Sequence, residues 1–157
     1  MRRPLLISLL VLVVSLTAVS AASARAERAF DNSDIEYIEG DGRIHATMRG
    51  ALIGSVQGTG TVTVSDLPDR VTTRILVINE TASWKLDANT TVYAGENLRF
   101  RVFRGKWRVK VQGDGIFVSI VGTGNLGFAG EGRYSLAGAP YRPWSEEWTT
   151  LRLGDDE

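Results

Sequence analysis

The sequence predicts an all-β fold: an antiparallel β-sandwich of jelly-roll-like form, with a small closed β-barrel as the alternative. Three observations carry this expectation. From Ile35 onward, short β-branched and aromatic runs alternate with glycine-bearing turns at a spacing of about 8–12 residues. The chain has 17 glycines and only 4 prolines, and the glycines punctuate the runs. No convincing amphipathic helix follows residue 24.

The N-terminus has a different character. Met1-Arg2-Arg3-Pro4 is a short basic start, and Leu5 to Val19 carries no charge, with Ser8, Ser15 and Thr17 as its polar breaks. Ala22 and Ala24 supply the small residues of a cleavage site ahead of Arg25. Residues 1–24 are therefore read as a signal peptide. The alternative is an uncleaved membrane anchor through residues 4–22, since about 18 apolar residues can span a bilayer. Either reading exports the rest of the chain, as a secreted, periplasmic or cell-surface protein. Residues 25–34 read as a polar, flexible arm and residues 35–157 as a single β domain.

Composition narrows the function classes. The 18 basic and 18 acidic residues balance, and losing Arg2 and Arg3 with the export segment leaves the remainder slightly acidic. A near-neutral chain is not a general nucleic-acid binder. With no cysteine, the domain must hold itself by packing, which suits a bacterial exported protein better than a small eukaryotic secreted one. Asn79-Glu80-Thr81 and Asn89-Thr90-Thr91 match the glycosylation sequon, and in a bacterium they are turn chemistry.

Candidate strands are 35–39, 43–49, 51–57, 60–66, 72–79, 83–87, 90–94, 98–104, 106–112, 115–121, 126–130, 132–137 and 147–153. One hairpin is predicted in detail. With Arg104-Gly105 as a two-residue loop, Val102 faces Trp107, Phe100 faces Val109 and Leu98 faces Val111 on one side. Arg101 then faces Arg108, and Arg99 faces Lys110, on the other. An arginine at a position that wants positive φ is the weak point of this loop, and a wider loop with one extra residue is the alternative. The chain also echoes itself: Gly40-Asp41-Gly42 resembles Gly113-Asp114-Gly115, Gly50 resembles Gly122, and Gly58-Thr59-Gly60 resembles Gly130-Glu131-Gly132.

Few motifs in the chain point to chemistry. Gly122-Thr123-Gly124-Asn125-Leu126-Gly127 matches a dinucleotide fingerprint, but that fingerprint needs a helix to begin there. Gly130 and Gly132 follow too soon for one, each costing about 1 kcal/mol in a helix. These glycines are read as turns or bulges that let a sheet bend. His45, the one histidine, lies in a strand beside no nucleophile motif and is read as structural. The acids Asp41, Asp66, Asp69, Asp114, Glu131, Glu146 and Glu147 lie mostly at glycine- or proline-bearing turns. No catalytic residue, metal ligand or cofactor site is assigned.

Two binding features remain. Arg99, Arg101, Arg104, Lys106, Arg108 and Lys110 cluster on the outer face of the predicted hairpin. Like charges facing across strands are destabilising, so this face reads either as a solvated face or edge that deters aggregation or as a patch for an anionic partner, an envelope polymer or lipid head groups. Tyr141, Trp144 and Trp148 are candidates for stacking on sugar rings, although closing the open end of the core is the more common use of such tryptophans. The function expected is a non-catalytic exported domain with a binding or structural role at the cell envelope. The alternative is a polysaccharide hydrolase using two carboxylates.

Overall fold

The computed structural model describes residues 35–154, and among them every regular element is a β-strand. The predicted signal peptide and polar arm lie outside the described residues. The strands are β1 (Ile35–Val56), β2 (Thr59–Leu67), β3 (Arg74–Ile78), β4 (Ala82–Lys85), β5 (Thr90–Glu96), β6 (Arg99–Ser135), β7 (Arg142–Trp144) and β8 (Thr149–Leu153). All pairings are antiparallel.

β1 and β6 are far longer than the runs seen in the sequence, because several glycines bend a strand instead of ending it. The register shows the consequence. Residues 35–40 and 51–56 of β1 lie on opposite sides of the same β6 segment, 116–121. Residues 42–49, between them, have other neighbours: 106–113 on one side and 123–130 on the other. A strand can flank one neighbour on both sides only by winding round it, so β1 and β6 coil about each other and pass between two layers.

The first layer runs β4, β5, β2, 106–113, 42–49, 123–130, β8. The second runs β3, 99–103, 51–55, 116–121, 35–40, 131–135, β7. Hydrogen bonding continues through the bends, so the whole is one antiparallel sheet folded over as a sandwich. Among the described residues β3, β4, β7 and β8 each have a single neighbour. The sheet is therefore open, and the closed-barrel alternative does not form.

Period-two alternation decides which side chains fill the space between the layers. The first layer contributes Ile44, Met48, Val62, Trp107, Val109 and Phe128; the second contributes Ile38, Leu52, Phe100, Val118 and Ile120. All belong to one core. Phe128 meets Tyr134 and Trp144 of the opposite layer at ring-centroid distances of 4.9 and 5.2 Å. Each such side chain contributes about 1.5–3 kcal/mol when fully buried, and no disulfide supplements them.

The bends need glycine at two places in particular. Gly50 and Gly122 face each other with φ of 150° and 141°. A Cβ on Gly50 would overlap the Val121 carbonyl, and one on Gly122 the Arg49 carbonyl. From inside, the Trp107 indole donates to the Gly50 carbonyl at 3.1 Å. Gly60, Gly113, Gly42 and Gly130 are successive partners across four strand segments of β2, β6 and β1 and form a second crease.

The echo in the sequence falls on equivalent positions. Residues 35–40 lie between 116–121 and 131–135, as 106–113 lie between 42–49 and β2. The dinucleotide-like stretch lies within β6, where Gly122 and Gly124 bend the strand.

The predicted hairpin does not form. Arg104 and Gly105 do take positive φ, 68° and 66°, but the chain runs on instead of folding back. Residues 99–103 are already flanked by 51–55 and β3, and residues 106–113 by 42–49 and β2. With both edges of each segment occupied, they cannot pair with one another. The pairs Val102–Trp107, Phe100–Val109, Arg101–Arg108 and Arg99–Lys110 are therefore absent. Arg104-Gly105 is the bend opposite Gly50 that carries β6 from the second layer to the first.

Candidate functional site

That bend divides the six cations expected on one face. Arg99 and Arg101 alternate with buried Phe100 and Val102, so they lie on the outer surface of the second layer. Lys106, Arg108 and Lys110 alternate with buried Trp107 and Val109 and lie on the outer surface of the first. Arg104 is exposed at the bend between them. The single six-residue patch is thus corrected to two surfaces facing opposite ways.

The first layer's surface gains residues from its neighbours. Lys110 lies between His45 and Thr63, Arg108 between Thr47 and Ser65, and Lys106 between Arg49 and Leu67. Arg43 stands opposite Gln112, and Arg152 opposite Asn125. The Arg108 Nε donates to Thr47 Oγ1 at 3.3 Å. Arg49 is neutralised by Asp69, with Nη2 to Oδ1 at 3.0 Å. None of the outward positions in 43–49, 61–65, 106–112, 123–127 or 150–152 carries a carboxylate.

His45 responds to this charge. Burial, and then the like charges of Lys110, Arg43 and Arg108, hold its imidazole below the usual value of 6.5. Read from the sequence as structural, His45 is an exposed member of the cationic face.

The three candidate aromatics separate. Trp148 stands beside the cations: its ring meets His45 edge-on at 4.8 Å. It lies against Gly127, where a Cβ would come within 2.6 Å of the indole, and it remains 46% exposed. Trp144 is buried against Phe128, with Gly40 and Gly132 beneath it, so it belongs to the core and offers no ring to a ligand. Tyr141 is exposed near β7 of the second layer, with the Arg133 guanidinium 4.6 Å from its ring centre.

The carboxylates have other partners. Asp41 accepts from the Gly115 backbone N–H at 2.6 Å, Asp66 from that of Thr73 at 3.2 Å, and Glu39 pairs with Arg133. Asp41 and Glu131 face each other at the crease.

Sequence reasoning missed Arg43, His45, Thr47 and Arg152 as companions of Lys106–Lys110. The alternation Arg43-Ile44-His45-Ala46-Thr47-Met48-Arg49 does mark one polar side of a strand. What it does not carry is the identity of the neighbouring strand. Compared with family models, with curated proteins and with solved structures, the chain matches none.

Proposed function

We propose that this chain is an exported, non-catalytic β domain that binds an anionic polysaccharide of the cell envelope through the outer surface of its first layer. The observation that carries this reading is the carboxylate-free row of Arg43, Lys106, Arg108 and Lys110 beside the exposed Trp148 ring. Fixed cations attract the polymer's acid groups and give a salt-dependent on-rate. Thr47, Thr63, Ser65 and Asn125 surround them with hydroxyl and amide groups suited to sugar hydroxyls. The indole, held in place by Gly127 and His45, offers a flat apolar face to a pyranose ring. Export follows from the N-terminal segment, and an envelope polymer is the anionic partner such a domain meets.

The test is binding to polygalacturonate, with dextran as the neutral control. Replacing Arg43, Lys106, Arg108 and Lys110 by Glu should weaken binding by roughly a hundredfold or more, at about 1 kcal/mol per cation near an anionic surface. Arg104→Glu, at the bend, should change it little. Binding that is insensitive to salt and unaffected by the quadruple replacement would refute the assignment.

A further inference from the structure

The outer surface of the second layer has the opposite character. Across five neighbouring strands its outward positions form rows. One row is Tyr37, Ser119, Ile53, Arg101 and Leu76; the next is Glu39, Phe117, Ser55, Arg99 and Ile78. Ile53, Leu76 and Ile78 are each about half exposed, at 50%, 49% and 48%. With Phe117 and the two arginines they line an open groove of about 440 Å3. Outward strand positions are ordinarily polar, and clustered exposed aliphatics mark an interaction surface.

We infer that this surface docks on an anionic phospholipid bilayer, Ile53, Leu76 and Ile78 entering the interface while Arg99 and Arg101 hold lipid phosphates. Charge complementarity selects this occupant. Glu39, the carboxylate in these two rows, is already paired with Arg133, which leaves Arg99 and Arg101 with no carboxylate beside them in the rows. A second copy seated face to face would bring two surfaces with a cationic excess together, since Arg99 and Arg101 have no free carboxylate to meet in the facing rows. A bilayer surface satisfies both halves of the pattern, since binding scales with buried apolar area plus attraction to anionic head groups. The inference is independent of the polysaccharide reading, which uses the opposite surface.

The chain has no cysteine, so Leu76→Cys and Thr63→Cys each create a single labelling site on the full chain, one per surface. Each is labelled with the environment-sensitive fluorophore NBD. The labelled proteins are mixed with vesicles of phosphatidylcholine alone or of phosphatidylcholine with phosphatidylglycerol. The label at residue 76 should brighten several-fold and shift to the blue with phosphatidylglycerol present, while the label at residue 63 stays unchanged. Adding Arg99→Glu and Arg101→Glu should weaken the titration at residue 76 by about tenfold or more, with an unchanged circular dichroism spectrum. Both labelled proteins carry the same N-terminus, so any insertion of residues 1–34 acts on both alike. No response at residue 76, an equal response at residue 63, or equal binding to phosphatidylcholine alone overturns the inference. A response that needs no vesicles and grows with protein concentration also overturns it, in favour of a second copy.

Discussion

The bends that divide the two surfaces can be tested through Gly122. Its φ is 141°, and an added Cβ would overlap the Arg49 carbonyl and lie 2.8 Å from the Gly50 Cα. Gly122→Ala therefore carries two costs. Backbone strain in a region closed to side chains is about 1–3 kcal/mol. Forcing β1 and β6 apart at their closest approach adds about 1–3 kcal/mol, as in other overpacked sites. The expected loss is about 4 kcal/mol, a large part of the roughly 5–15 kcal/mol that holds a domain together. Gly138 supplies a positive-φ reference without the second cost. It also has positive φ, 69°, but nothing lies within 4 Å of its would-be Cβ, so Gly138→Ala should cost only about 1–2 kcal/mol. Urea unfolding followed by tryptophan fluorescence reads both. With m of about 1–3 kcal/mol/M, the midpoints of the two variants should differ by about 1–2 M. Equal midpoints, or a milder effect at Gly122, would show that the strands are not in contact there and that the winding is wrong.

Two further outcomes concern the cationic face. A depressed His45 value means that the unfolded chain takes up the proton first. Its contribution to stability is therefore full above about pH 6.5 and is lost as pH falls from there through the lower folded value. Because the chain has one histidine, its imidazole signal can be followed directly by NMR. The midpoint should lie below 6.5, rise in Lys110→Gln, and rise again when polygalacturonate is added to the original protein. A midpoint indifferent to Lys110 and to polymer would remove His45 from the face. At Gly127, Ala should push the Trp148 indole off its seat and weaken polygalacturonate binding about as much as Trp148→Ala does, by a few-fold to tenfold at roughly 1 kcal/mol. Undiminished binding in both variants would show that the ring takes no part.

Much of this fold was legible in the sequence because it rests on local rules. Period-two alternation is a property of each strand alone, so the inward set, from Ile44 and Met48 to Phe100, Val109 and Val118, could be read before any partner was known. So could the cationic outward set of 99–110. The glycine positions were visible too; of those in the dinucleotide-like stretch, Gly122 and Gly124 bend β6, whereas Gly127 seats the Trp148 indole. The separation of Tyr141, Trp144 and Trp148 was not visible, because burial of a tryptophan depends on which layer closes over it. Trp144 meets Phe128 of the opposite layer, while Trp148 rests on a glycine at the surface.

The Arg104-Gly105 bend shows where local information ends. Two successive residues with positive φ are compatible with a tight hairpin loop and equally with a bend that carries a strand from one layer to the next. The dihedral signs do not distinguish them; the distinction lies in which strands occupy the edges of 99–103 and 106–113. Those neighbours, 51–55, β3, 42–49 and β2, come from distant parts of the chain and are chosen by burial of the whole core. The sequence by itself therefore determined that residues 35–154 are all-β, which side of 98–111 faces inward, and that Arg99, Arg101, Lys106, Arg108 and Lys110 lie outside. Only the tertiary structure decided that two of these cations share a surface with exposed aliphatics and three with Trp148 and His45. Which outward residues share a surface is set by pairing between segments far apart in sequence, and no local pattern encodes it.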